Sequence, residues 1–145
     1  MIPIVFHPAY EAALPEGHRF PMRKYGRLAE ILRARGLAPN GFVTPEPADA
    51  DLLSGAHDRD YVGAVLTQQV PRATERAIGL PVTEGVAARA RASAGGTLRA
   101  ARLALDHGLA GSTAGGSHHA RRAGGAGFCV FNDVAVAALA LRREG

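Results

Sequence analysis

The chain has 145 residues, of which 17 are Lys or Arg and 13 are Asp or Glu, so its formal net charge is +4 with the six histidines neutral. That length is typical of one domain, and 47% hydrophobic against 21% charged residues excludes a disordered tail or a basic arm. The single cysteine, Cys129, excludes an internal disulfide scaffold and a zinc ribbon, and it fits a reducing cytoplasm. We therefore expect one folded cytoplasmic domain over residues 1–145.

Neither a membrane nor a nucleic acid is an expected partner. Residues 1–6 lack the basic region of a signal peptide, and no window approaches roughly 20 consecutive apolar residues. The arginines are spread along helical patterns with no aromatic residues interleaved, which indicates solvated helix faces and not a nucleic-acid surface.

Short apolar runs alternate with amphipathic segments in the first half of the chain. Residues 2–6 are apolar and are closed by His7-Pro8, which predicts a buried strand because proline blocks further ladder pairing. Residues 21–36 carry apolar side chains at helical spacing, with Pro near the start and Gly at the end, which predicts an amphipathic helix. Further elements are expected as loop or edge strand at 39–47, a short helix at 49–56 and a helix capped by Asp58.

The second half is dominated by a predicted alanine-rich helix over residues 84–107. Ala94, Gly95 and Gly96 interrupt its helix propensity, which indicates a backbone packed closely against a neighbour. The other expectations are loop with some helix at 71–80, a buried strand at 109–116, and an apolar, buried helix over 133–143 capped by Asn132.

This alternation predicts an α/β fold with an open, mostly parallel sheet and helices on both faces. Ligands of such sheets bind at the carboxyl ends of the strands. The loop that follows the predicted strand at 109–114 is therefore the first place to look for chemistry.

That loop holds adjacent histidines, His118 and His119, framed by five glycines in the thirteen residues 115–127. The glycines permit irregular backbone that can point both imidazoles into one cleft, where they would suit general acid–base work. The alternative is one histidine hydrogen-bonded in the core and the other solvated. Cys129 is either a nucleophile beside a histidine base or an inert buried thiol, and its neighbours Phe128 and Val130 favour the thiol.

Two motifs place the chain near a known family. Residues 115–120, Gly-Gly-Ser-His-His-Ala, and residues 127–135, Gly-Phe-Cys-Val-Phe-Asn-Asp-Val-Ala, resemble the signature of the histone deacetylase superfamily. Segments 57–61, 80–85 and 95–97 resemble the same family in the expected order, and 19–25 is similar to its bacterial and class IV-like branch.

The resemblance implies a zinc-dependent amidohydrolase with the open arginase/deacetylase-like α/β fold, of which this chain would be the N-terminal portion. His118 would assist electrostatically and as a proton carrier, and His119 would be the general base. Zn²⁺ would polarise the acyl carbonyl and acidify the attacking water.

The substrate implied is an acyl-lysine or other acyl amine in a narrow tunnel. Gly127 resembles the residue whose carbonyl holds the substrate amide, and Phe128 resembles the aromatic wall of the tunnel. Cys129 would lie near the acyl end, and Arg23 would border an internal acetate channel.

Two departures from the family pattern matter. The metal ligands and the oxyanion-stabilising Tyr of the family would lie beyond Gly145, so we expect no metal ligand in this chain and no activity from it alone. The alternative is a non-catalytic, truncated or degenerate module that associates with a partner through an unpaired sheet edge. Gly79 also replaces an acidic residue that is frequent in members acting on protein lysines, which weighs against a histone-like peptide substrate.

Overall fold

The structure is a computed structural model that describes residues 2–145. Its strands are β1 (Ile4–Val5) and β2 (Gly111–Ser112), and a short 3₁₀ helix covers Pro8–Tyr10. The helices are α1 (Lys24–Ala34), α2 (Ala50–Ser54), α3 (Arg59–Leu66), α4 (Arg72–Ile78), α5 (Glu84–His107) and α6 (Asp133–Glu144). No helix in this part of the chain is both long and apolar enough to cross a membrane.

The sheet is parallel, as predicted, but its strands are short. Ile4 lies opposite Gly111, and Val5 both lies opposite Ser112 and forms a parallel bridge with Val43 on its other side. The buried strand predicted over 109–116 is wrong in extent and burial, since only Gly111 and Ser112 pair and both are half-buried. Gly, Ala and Ser have little side chain to pack on a pleated surface, so tertiary contacts do not extend this strand.

Helix α5 has the predicted bounds and packs against both strands, the 3₁₀ helix, α3 and α6. A Cβ added to Gly95 would collide with the carbonyl oxygen of Glu46 and lie 3.1 Å from the Ala48 nitrogen. A Cβ on Gly96 would collide with the hydroxyl of Tyr10. The close backbone approach predicted for these glycines is therefore confirmed.

The core lies between α5, α3 and α6. Its fully buried side chains come from helices α2 to α6 and from the loops between them, and they include Leu53, Val62, Val65, Ile78, Leu80, Val86, Ala94, Val130 and Val136.

The segment predicted as loop with some helix is a seven-residue helix, α4, that ends at Gly79 in the left-handed region (φ +78°). Ile78 is fully buried, and Glu75 accepts a hydrogen bond from the Val82 backbone N–H at 2.7 Å. The partners of Glu75 and Ile78 lie outside α4. Contacts with them stabilise a helix that is too short to be stable by its own propensity.

Helix α6 begins at the predicted cap, because the side chain of Asn132 accepts from the Ala135 N–H at 3.0 Å. The prediction that this apolar helix is buried is confirmed on one face only. Val136, Ala137 and Ala140 face the core, whereas Val134 is 49% exposed.

His57 connects the α2–α3 corner to the glycine-rich loop. Its ring is 1% exposed, Nδ1 lies 2.9 Å from the Arg121 carbonyl oxygen, and Nε2 lies 2.9 Å from the Asn132 nitrogen. A carbonyl only accepts and a backbone N–H only donates, so the proton is on Nδ1 and Nε2 is bare. Burial lowers the pKa of His57, because this neutral tautomer satisfies both neighbours and the charged form would be desolvated.

The substitution Gly95→Ala is expected to lower the free energy of unfolding by about 1–3 kcal/mol, since the new methyl group meets backbone that cannot rotate away. Gly63→Ala in α3 is the matched control, because nothing lies within 4 Å of its added Cβ. That change should be neutral or stabilise by up to about 1 kcal/mol. Urea unfolding followed by circular dichroism measures both, and a Gly95→Ala protein as stable as the Gly63→Ala protein would contradict the close contact.

Stability should also decrease in weak acid because of His57. Its pKa is lower in the folded than in the unfolded chain, so its contribution is complete above the unfolded value of about 6.5 and is lost as pH falls below it. Urea titrations between about pH 7.5 and pH 5 should show a smaller decrease for His57→Gln than for the wild type. Equal decreases would show that His57 is not the titrating group.

Candidate functional site

The candidate site is the loop between β2 and α6, at the carboxyl end of the sheet, as predicted. The rings of His118 and His119 lie side by side there, with centroids 4.2 Å apart and planes inclined by 35°. Both side chains are exposed. His118 Nδ1 lies 2.9 Å from the Gly116 carbonyl oxygen, so it donates that hydrogen bond and Nε2 is the free nitrogen of the neutral ring.

A buried carboxylate fixes the start of this loop. Asp133, 1% exposed at the first position of α6, accepts from the Ser117 N–H at 2.7 Å through Oδ1 and from the Thr97 hydroxyl at 2.6 Å through Oδ2. Asp133 therefore joins the histidine loop to both α5 and α6.

Asn132 fixes the other side of the loop. Its side-chain nitrogen, Nδ2, lies 3.4 Å from the His118 carbonyl oxygen and 3.2 Å from the Ala120 carbonyl oxygen. Its backbone N–H donates to His57. The backbone on both sides of His119 is thus held by one side chain at the start of α6.

Gly127 lies directly beneath His119. A Cβ on Gly127 would come 3.0 Å from Cγ of the His119 ring, and Gly127 has φ +54°, so both space and backbone conformation require glycine. Its N–H donates to the Ala77 carbonyl at 3.0 Å. The family resemblance implies that His119 is the general base and that the carbonyl of Gly127 binds the substrate amide. These two residues are therefore neighbours.

Phe128 follows in the same tight turn and has φ +65°, an outlier for an aromatic residue. Its N–H donates to the Ile78 carbonyl at 2.6 Å, which holds the strained backbone in place. The Phe128 ring is half-buried, and its centroid lies 5.0 Å from the centroid of the Phe20 ring. The Arg19 guanidinium lies 5.0 Å from the Phe128 centroid. The Phe128 ring thus contacts one apolar neighbour, Phe20, and one cationic neighbour, Arg19.

The ring of Phe20 packs against a buried cation, the guanidinium of Arg89. The Arg89 guanidinium lies 5.4 Å from the Phe20 centroid and 4.9 Å from that of Tyr25, and it donates to the Tyr25 hydroxyl at 2.6 Å. Arg23 is exposed at the start of α1 and lines a cavity of about 650 Å³ together with Phe20, Leu14 and Met22. Phe20 therefore connects the Arg23 cavity to the Phe128 wall.

Cys129 is 7% exposed, and its Sγ lies 3.6 Å from the Gly127 carbonyl oxygen. Tyr61 supports the same turn by donating to the Val130 carbonyl at 2.7 Å, and burial raises the pKa of its hydroxyl. The structure thus brings His118, His119, Gly127, Phe128 and Cys129 into one loop system, while their chemical roles remain predictions.

Residues 2–145 contain no group of three or more His, Cys, Asp or Glu side chains placed to hold a metal ion. Asp133 is the buried carboxylate in this loop system, and both of its oxygens already accept hydrogen bonds. The side chains of this part of the chain therefore do not fit a catalytic zinc centre by themselves.

Sequence reasoning did not identify Asp133 and His57 as the groups that position the loop. A signal existed for Asp133, which has the same helical register as the buried Ala137 and Ala140. A carboxylate in line with a buried stripe needs partners, and the Ser117 amide and the Thr97 hydroxyl are those partners. His57 carried no comparable signal, because its partners are backbone groups remote in sequence.

Comparison with known proteins identifies the family and the fold. The model of the histone deacetylase domain matches residues 18–145. The chain is 42% identical over 144 residues to an uncharacterised protein of Picosynechococcus, covering 99% of this chain and 48% of that protein. It is 31% identical to histone deacetylase 2 of Arabidopsis thaliana, over 93% of this chain and 38% of that protein.

Further matches extend this picture. Identity to the acetoin utilization protein AcuC of Bacillus subtilis is 29%, over 97% of this chain and 39% of that protein. The crystal structure of the HDA15 HD domain shares the fold with a TM-score of 0.77 at 22% identity, over 99% of this chain and 43% of that one. The chain thus spans less than half the length of each of these proteins. Because the family's domain covers well over half of its residues, the chain belongs to the histone deacetylase family.

Proposed function

We propose that this chain supplies the acid–base histidines and one tunnel wall of a hydrolase that removes acetyl or other acyl groups from acyl-lysine or acyl-amine substrates. The observation that carries the proposal is the pair of adjacent rings of His118 and His119, with His119 against Gly127 in the turn that also carries Phe128. A base, a backbone carbonyl and an apolar wall are the parts needed to orient a secondary amide for attack by water.

In this scheme each histidine has a separate task. His119 takes a proton from the attacking water as the hydroxyl oxygen bonds to the acyl carbon. His118, whose Nε2 is free while Nδ1 donates to Gly116, stabilises the developing charge and carries a proton. The C–N bond then breaks, and the released amine nitrogen receives the proton, which leaves a carboxylic acid and an amine.

Phe128 and Gly127 would position the substrate. The Phe128 ring offers an apolar face to a methylene stem whose charge is masked by acylation. The Gly127 carbonyl, at the bend of the turn, would accept from the substrate amide N–H. Arg23 and the cavity that it lines would receive the released acid, and Cys129 would border the acyl end.

The family resemblance implies Zn²⁺, which would supply Lewis-acid polarisation of the carbonyl. Residues 2–145 do not form its ligand set, so we propose that its ligands lie outside them. The free thiol expected of Cys129 suits a reducing compartment, and we propose a cytoplasmic location on that ground.

A second candidate is a non-catalytic module that requires a partner to complete its fold. The lack of a metal-binding cluster in residues 2–145 favours it, as does the outer edge of β2, which pairs with no other described strand. Such an edge is prone to association.

The histidine roles are tested by acetate release from an acetyl-lysine substrate with the complete product of the gene, supplied with Zn²⁺. His119→Ala and His118→Ala should each lower kcat about 10²–10⁴-fold. His107→Ala is the matched control, because that histidine is exposed in the last turn of α5 and should leave kcat unchanged. Activity retained in both site variants would refute the assigned roles, and a wild-type protein without activity would favour the non-catalytic module.

Asp133 is expected to act on the reaction through the loop that it holds. Asp133→Asn removes one acceptor, so Ser117 or Thr97 loses its partner and the histidine pair is less well fixed. We expect kcat to fall about tenfold, with a smaller change in KM, because the substrate wall at Phe128 is held by other contacts. A change confined to the unfolding free energy, with kcat intact, would mean that Asp133 is structural only.

A further inference from the structure

A positively charged side chain, Arg19, lies at the mouth of the proposed tunnel. Arg19 lies over the ring of Phe128, with its guanidinium 5.0 Å from the ring centroid. Gly79 lies against both, since a Cβ added there would be 3.1 Å from Phe128 Cε1 and 3.9 Å from Arg19 Nη2. Arg19, Gly79 and Phe128 therefore form one rim.

A cleft of about 460 Å³ adjoins this rim and includes Gly79 in its lining. Its other polar lining residues are His18, Arg72, Glu75 and Arg76. Glu75 is the only carboxylate among them, and one of its oxygens accepts from the Val82 N–H at 2.7 Å.

The three arginines of the rim and the cleft outnumber the one carboxylate there, Glu75, and form no ion pair in the described part of the chain. Across residues 2–145, the ion pairs within 4.0 Å involve Arg27, Arg59, Arg102 and Arg122. Arg19, Arg72 and Arg76 are in none of them, and all three are exposed. The potential at the rim is therefore positive, which attracts anions and disfavours a second cation.

We infer that this rim selects acyl amines that carry a carboxylate at the end of the stem remote from the acyl group. The inference rests on the proposed function, because it takes Phe128 as the tunnel wall. Arg19 is the specificity-determining residue, since its guanidinium lies over the wall itself and presents charged N–H donors at the point where the stem emerges. Arg72 and Arg76 extend the positive field. A protonated amine at the same position, as in an acylated polyamine, would be repelled.

The test compares three substrates with one acylated stem: Nα,Nε-diacetyl-lysine with a free carboxylate, its neutral carboxamide, and N-acetylcadaverine, which carries a cation. The complete gene product is assayed for kcat/KM on each. The carboxylate should be preferred over the carboxamide about fivefold, the size expected of an exposed ion pair, and the cation should be the poorest substrate. Raising the salt concentration from about 0.02 M to about 0.5 M should reduce the preference.

Arg19→Gln should bring the ratio of carboxylate to carboxamide close to one. Arg35→Gln, at the exposed C-terminal end of α1, removes the same charge elsewhere and should leave the ratio as in the wild type. Equal rates on carboxylate and carboxamide, or a ratio unchanged by Arg19→Gln, would overturn the inference while the proposed function stands. Hydrolysis of none of the three substrates would refute the proposed function and this inference with it.

Discussion

The carboxylate of Asp133 sits at the junction of three segments: the long helix α5, the histidine loop and the N-terminus of α6. A buried charge is tolerated only where its hydrogen-bond capacity is met, and here each oxygen has one donor, the Ser117 amide or the Thr97 hydroxyl. Ser117 immediately precedes the histidine pair. The geometry of the pair therefore depends on a residue that touches neither ring.

Asn132 and His57 extend this constraint through the core. Asn132 binds two carbonyls of the loop and caps α6, while its own N–H is received by the bare Nε2 of His57. His57 in turn donates to the loop carbonyl of Arg121. Each atom in this chain of hydrogen bonds has one role, donor or acceptor, so the bonds support one another in a single arrangement of the loop.

Sequence patterns predicted the structure correctly where residues within a segment decide its conformation. The bounds of α5 and the cap at Asn132 follow from composition and capping residues within the segment itself. Helix α4 and strand β2 did not follow, because Ile78 and Gly111 take their state from partners distant in the chain, Phe128 and Ile4. The same division holds in the site. His118 and His119 were visible as a motif, and the register of Asp133 with Ala137 and Ala140 was a signal of its burial. The supporting role of His57 left no such signal, because its partners are backbone groups distant in the chain.

The left-handed backbone of Phe128 sets backbone conformation against side-chain contacts at one residue. Glycine would adopt φ +65° without penalty, whereas a bulky side chain at this conformation costs about 1–3 kcal/mol. Backbone conformation alone would favour glycine at this position, as at the neighbouring Gly127 with φ +54°. The aromatic ring is present despite that penalty, and it packs against Phe20, Arg19 and the edge of the core. The contacts of the ring, and not the backbone of the turn, should therefore decide which residues can replace Phe128.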